Sequence, residues 1–332
     1  MPDLDPKRII DVAERFRVKP GHRVKLGRDF DPAFRLRDRP ASKAELKVLL
    51  AEGVEFLSEY QARLAAQDTY GVVVVLQAMD AAGKDGTIRH VMSGVNPQGV
   101  EVRGFKIPTS EELDHDYLWR YQRRLPERGH IGIFNRSHYE EVLVVRVHPK
   151  ILDGQRLPPS SKRGDIWKRR YREINDWERY LTDNGFRFVK MFLNLSREEQ
   201  RRRFLARIDV PEKNWKFSAN DAKERVFWDD YQRAFSEMLS QTSTEWAPWH
   251  VIPADDKPFA RVAAAAVLAD TLIHIDPRYP KVSSQAHQAL QAAKAELIAD
   301  APAGAAPDPI EAELADAAAR KAAKRAKPKQ KQ

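Results

Sequence analysis

The stretch Gln77–Thr87, QAMDAAGKDGT, carries the residue types that bind a phosphate. Gly83 lets the backbone approach an anion, Gly86 relaxes the turn that follows, and Lys84 brings a mobile positive charge. Before it stands Gly71–Leu76, GVVVVL, a β-branched apolar run of the kind that forms a strand buried on both faces. After it, Ile88–Met92 reads as a helix. Amide N–H groups at a helix start, aided by the helix dipole, make an anion site. The predicted phosphate-binding residues here are Ala82, Gly83, Lys84, Asp85, Gly86 and Thr87.

The stretch departs from the common G-x-x-x-x-G-K-[ST] pattern at two places. Ala78 stands where the first glycine would be, and Asp85 replaces the Ser/Thr that normally holds magnesium. A Gly-Lys pair alone is equally compatible with an ordinary strand-to-helix turn. Asp80 changes the balance, because a carboxylate inside a phosphate loop repels phosphate unless a cation lies between them. It predicts a magnesium ion held partly by Asp80, or an Asp80 that organises a nucleophile.

The elements that must position this loop can be read along the chain. Pro20-Gly21 and Pro32 interrupt the first forty residues. Ser42 and Glu45 form a capping box for a helix with Leu46, Leu50, Leu57 and Leu64 as its apolar stripe. Further strands are predicted at Val100–Phe105, Ile131–Phe134, Arg187–Leu195 and His250–Pro253. A second capping box, Thr109 with Glu112, predicts a helix running through Tyr121 to Leu125. Other helices are expected over Asp165–Leu181, from Ser196, from Ser218 or Asn220 to about Leu239, and over Phe259–His274. Strands alternating with helices imply an α/β fold with a mainly parallel sheet. The expected organisation is an N-terminal extension and packing helix over 1–70, a core over 71–280, and an Ala/Lys/Pro-rich tail over 281–332. Part of that tail could be helical, and its last thirty or so residues are expected to be disordered.

Composition narrows the class. The chain of 332 residues is 42% hydrophobic and 32% charged, which suits a globular protein with a core. With no cysteine, disulfides and thiolate zinc sites are excluded, and the nine histidines show no metal-ligand spacing. The N-terminus lacks a secretory pattern and no apolar run approaches the span of a bilayer, so a cytoplasmic location without membrane contact is expected. The net charge of +9 fits either a solvated basic surface or a polyanionic partner. No motif for reading nucleic acid is present, and none is expected as a specific partner.

With the loop Asp80–Gly86 in place, the chain resembles the polyphosphate kinase 2 family. Two further blocks carry the resemblance: Ile131–Glu141, IGIFNRSHYEE, and Thr244–Lys257, TEWAPWHVIPADDK. The resemblance as a whole covers roughly residues 15–275. Many members have Asp-Arg-Ser in the second block, whereas this chain has Asn135-Arg136-Ser137. That form resembles the third class of the family, associated with phosphorylating both nucleoside mono- and diphosphates. The resemblance implies a P-loop kinase-like three-layer α/β/α fold with a helical lid at about 200–225. It also implies transfer of a phosphoryl group between inorganic polyphosphate and a nucleotide, with Mg2+ (or Mn2+), in a chain expected to form a homo-oligomer.

On that basis Asp80, Lys84 and Arg136 are the candidate catalytic residues, with Arg136 clamping phosphate oxygens through its planar fork. Asp80 and Glu140 are the candidate metal ligands; Glu140 or Glu141 would restore the charge that Asn135 lacks. Polyphosphate calls for a basic channel, and Arg207, Lys213 and Lys216, flanking Pro211, are the expected lid contacts. Arg201–Arg203 reads as a solvated helix face, and Arg120, Arg123 and Arg124 as a second basic face lining the channel or facing water. Phe105, Pro108 and Asn135 are the candidate nucleotide contacts, although a core aromatic at a strand end is as common for Phe105. His115 and His138 show no evident partners. Two rivals stay open: an ATP-dependent small-molecule or nucleoside kinase, and a non-catalytic polyanion binder.

Overall fold

The computed structural model describes residues 5–35, 41–162, 164–302, 310 and 313–314. Five strands form one sheet: β1 (Gly71–Ala78), β2 (Val100–Gly104), β3 (Ile131–Asn135), β4 (Phe186–Asn194) and β5 (Trp249–Pro253). Their order is β2-β3-β1-β4-β5, and every pairing between them is parallel. Each parallel neighbour needs a crossover, which the helices supply. The longer ones are α1 (Pro6–Glu14), α2 (Lys43–Gln67), α3 (Lys84–Val91), α4 (Ile166–Asp183), α5 (Arg197–Asp209), α6 (Trp228–Thr242), α7 (Lys257–Ile275) and α8 (Ser284–Ala299).

The pleat of β1 divides the core. Val72, Val74 and Leu76 enter one apolar layer with α2, α3 and α7. Val73 and Val75 enter the other, with α4 and α6. Both faces are covered, which explains the uninterrupted valine run. The chain leaves β1 through α3 on one face and leaves β3 toward α4 on the opposite face. The carboxyl ends of β1 and β3 are therefore the switch point of the sheet, where a crevice opens.

Several expectations need correction. The helix expected from Thr109 to Leu125 breaks into Ser110–Leu113 and Trp119–Gln122, although the Thr109–Glu112 capping box forms. The helix expected from Ser218 to Leu239 is a short helix, Ala219–Glu224, a 3-10 turn and then α6. The N-terminal extension contributes to the sheet edge: Val18 N donates to Trp249 O at 2.8 Å and Val251 N to Phe16 O at 2.8 Å. Contrary to the expectation from hydropathy, α7 is long and apolar enough to cross a membrane. It is instead a core helix, with Ala264, Val267, Leu268 and Leu272 buried.

Residues 1–279 form one compact unit and 280–332 a second. Within the second, Ser283 caps α8, so part of the tail is helical as expected. The disorder expected at the C-terminal end falls almost entirely outside the described residues.

Candidate active site

The loop after β1 carries two residues in the left-handed region, Ala81 at φ 65° and Gly83 at φ 107°. Gly83 suits that conformation; Ala81 does not, and such strain concentrates where a backbone is held for function. Gly83 is the N-cap of α3 and makes no side-chain cap, so the first-turn amides of Lys84, Asp85 and Gly86 have no intrahelical acceptor. Lys84 folds back, its Nζ donating to Ala78 O at 3.1 Å. Burial pulls its ammonium below the ordinary lysine value, against the attraction of Asp80, Glu140 and Asp85.

β3 delivers the second half of the site. Asn135 Nδ2 donates to Asp85 Oδ1 at 2.7 Å, joining the two loops. Arg136 is also left-handed, at φ 66°, and its amide donates to Leu76 O at 3.2 Å. Its guanidinium lies 3.1 Å from Asp80 Oδ1 and 3.9 Å from Glu140 Oε2. Burial pushes the Glu140 carboxyl above its ordinary value, while Arg136 and Lys84 pull it back. Gln77, buried at the end of β1, donates from Nε2 to Ser137 Oγ at 3.0 Å and steadies the turn that presents Glu140.

A buried charge cluster supports this turn from below. Lys190 Nζ on β4 contacts Glu178 Oε2 at 2.6 Å, Tyr139 Oη at 2.8 Å and Thr242 O at 2.7 Å. Glu178 also meets Tyr139 at 2.7 Å and His138 at 3.2 Å. His138 therefore has a partner; the distance between it and Glu178 in the sequence concealed the pair.

The segment expected to form a lid folds as α5, a 3-10 turn over Pro211–Lys216 and the short helix after it. Arg207 donates to Asp221 Oδ2 at 3.1 Å and to Lys216 O at 3.3 Å, tying the segment together. Arg201 and Arg202 are exposed, but Arg203 is not: only 6% of its surface is accessible. The reading of Arg201–Arg203 as one solvated face fails at Arg203. In the second basic face, Arg120 does not face water: it is buried, its Nη2 donating to Lys106 O at 3.0 Å.

Three cavities meet at the loop. A basic one of about 550 Å3 is lined by Gly83, Gly86, Thr87, Arg89, Arg202, Arg203, Arg207, Lys213, Lys216, Lys257 and Arg261. One of about 500 Å3 has Asp80, Arg136 and Glu140 at one end and Met79, Ile107, Leu143, Val144, Ile151 and Phe235 along its apolar walls. Between them, a cavity of about 360 Å3 touches Asp80–Gly86, Phe105, Asn135, Arg136, Arg207 and Lys216.

Asp80, Ala82, Gly83, Lys84, Asp85, Gly86, Asn135, Arg136, Arg207 and Lys216 are thus brought together, with Glu140, Thr87 and Lys213 lining the adjoining cavities. Phe105 is 7% exposed and its ring packs at 4.5 Å from Tyr121 and 5.0 Å from Phe134, which spends the aromatic face in the core. Pro108 lines a separate cavity with Glu112, Tyr117 and Arg170. Ile107, between them, is 91% exposed and lines the mixed cavity instead. The sequence reading missed Gln200, Arg203, Lys257, Arg261 and Ile107. The i, i+3, i+7 spacing of Gln200, Arg203 and Arg207 was the available signal for one face of α5.

The family model described as polyphosphate kinase 2 matches residues 40–280. An ADP-polyphosphate phosphotransferase of Rhodopseudomonas palustris is 49% identical over 289 residues, covering 86% of this chain and 98% of the relative. An AMP/ADP-polyphosphate phosphotransferase of Meiothermus ruber is 44% identical, over 81% of this chain and 96% of the relative. The crystal structure of polyphosphate kinase 2 from Arthrobacter aurescens superposes with a TM-score of 0.74 at 40% identity, covering 85% of this chain and 97% of that one. With the family model matching residues 40–280 and relatives 44–49% identical over most of their length, the chain belongs to the polyphosphate kinase 2 family.

Proposed function

We propose that this protein transfers a phosphoryl group between inorganic polyphosphate and AMP or ADP, or their guanine counterparts. The observation that carries the reading is the placement of the loop between two chemically different cavities. The basic cavity, with Arg89, Arg202, Arg207, Lys213, Lys216, Lys257 and Arg261, suits a long polyanion. The mixed cavity offers apolar walls for a nucleoside and Arg136 for its phosphate. The names of the relatives support both substrates.

In this reading an oxygen of the nucleotide's terminal phosphate attacks the end phosphorus of the chain. The P–O bond to the rest of polyphosphate breaks, and the shortened chain leaves as an oxyanion. The acceptor oxygen is already ionised, so positioning and charge neutralisation do the catalysis. Lys84 and the amides of Gly83–Gly86 face the transferred group, and Arg136 holds acceptor and donor oxygens together. Asp80 and Glu140 would hold a magnesium or manganese ion, which supplies charge neutralisation between the two phosphates. Two carboxylates with substrate oxygens and water suffice for magnesium.

The direct test is purified protein with Mg2+, AMP or ADP, and polyphosphate as the sole phosphoryl donor. Nucleoside di- or triphosphate formation is expected by anion-exchange chromatography. If product forms only when ATP is the donor, the protein is an ATP-dependent kinase; binding of polyphosphate without product makes it a polyanion binder.

A further inference from the structure

The strained loop is held from behind by a single helix. Gln200 Nε2 on α5 donates to Asp80 O at 3.0 Å. Arg203 Nη1 donates to Ala81 O at 3.1 Å and Ala82 O at 2.8 Å. Three successive carbonyls of the phosphate loop are therefore gripped from one face of α5. Arg203 Nη2 also donates to Ala254 O at 2.6 Å and Asp255 O at 3.2 Å, behind β5, and Nε meets Glu199 at 2.8 Å. Gln200 and Arg203 are 2% and 6% exposed, so these bonds are shielded from water.

A trans peptide is planar, with its N–H opposite its C=O. Pinning the carbonyls of residues 80, 81 and 82 to α5 turns the amides of 81, 82 and 83 away from that helix. Ala82 N spends its proton on Met79 O at 3.3 Å, leaving Ala81 and Gly83 as the outward donors set by this grip. The positive φ of Ala81 is the conformation these bonds hold against its own preference. We propose that Gln200 and Arg203 are positioning residues that fix the anion-binding face of the phosphate loop by holding its carbonyls. The fork of Arg203 reaches two loop carbonyls and two carbonyls behind β5 at once, which a lysine cannot do. Arg207, one turn further along α5, lines the central cavity, so the helix that sets the loop also carries a lid contact.

The inference rests on the phosphate-loop reading above, so its test measures anion binding apart from turnover. Tripolyphosphate affinity is measured by calorimetry for the full chain and for Arg203→Lys, Arg203→Ala and Gln200→Leu. Amide hydrogen exchange over residues 79–86 is followed in parallel, with kcat and KM for both substrates. Misaligning a preorganised donor pair is expected to weaken tripolyphosphate binding about 10-fold or more in both Arg203 variants, and less in Gln200→Leu. Exchange over residues 79–86 should quicken, KM should rise for polyphosphate more than for nucleotide, and guanidinium should restore Arg203→Ala where methylammonium does not. A residue acting through charge alone would tolerate Arg203→Lys. Parent affinity and parent exchange in folded Arg203→Lys overturn the proposal; if the Arg203 variants do not fold, the same result in Gln200→Leu does so. A parent protein that binds tripolyphosphate but phosphorylates no nucleotide refutes the proposed function and leaves this inference standing on its own binding data.

Discussion

Replacing Lys190 with methionine tests whether the buried cluster beneath the active-site turn holds the fold. The Lys190 and Glu178 side chains are fully buried, at 0% exposure each, with 2.6 Å between Nζ and the carboxylate. Burial works against both charges. Lys190 and His138 outweigh it at Glu178, holding that carboxyl below its ordinary value. Burial holds His138 below the ordinary histidine value, so it supplies a hydrogen bond rather than a compensating cation. Lys190→Met removes three hydrogen bonds and leaves Glu178 charged with only Tyr139 and His138 against it. Stranding one member of a buried pair costs about 3–5 kcal/mol. For a chain of this size that is a fall in Tm of roughly 4–7 °C. Glu178→Gln added to Lys190→Met removes the stranded charge, and the double variant is expected to recover much of the loss. Urea unfolding followed by tryptophan fluorescence measures all three. A single variant within about 1 kcal/mol of the parent, or a double variant no better than the single, would refute the reasoning.

Two further outcomes follow from the structure. Lys84→Met, which keeps the length of the side chain but not its charge, should fold normally and lose roughly 100-fold in kcat, read in the polyphosphate-dependent assay; turnover at the parent rate would remove Lys84 from the mechanism. His250 is buried, which pushes its imidazole down to about 3. The unfolded chain therefore takes up a proton at pH 6.5 and below that the native state refuses until about 3, so stability is full above pH 6.5 and falls with acid. His250→Gln should flatten the pH dependence of unfolding by about 1.4 kcal/mol per pH unit between those limits, and an unchanged slope would exclude His250 as the source.

What the sequence determined by itself was local. A glycine-lysine turn after an unbroken valine strand, with Asp80 inside it, points to a phosphate loop, because the strand must be buried on both faces and the helix behind it leaves amides free. The capping boxes at Ser42 and Thr109 form because each is completed within four residues. Their lengths did not follow from the caps: the second helix stops at Leu113, and its continuation is a separate turn at Trp119. The N-terminal segment along β5 was illegible, since pairing at an edge depends on a strand more than two hundred residues away. Charge was the least legible feature. Arg202 and Arg203 are neighbours in a basic run, yet one faces solvent and the other is closed under the phosphate loop, which depends on where α5 crosses the ends of β1 and β5. Phe105 and Ile107 differ in the same way: just past β2 the aromatic packs on Tyr121 and Phe134 in the core, and the loop beyond carries the isoleucine out to the cavity. Residue type and spacing fixed which groups could act on a phosphate; only the packing of distant segments decided which of those groups are spent on the fold and which face a substrate.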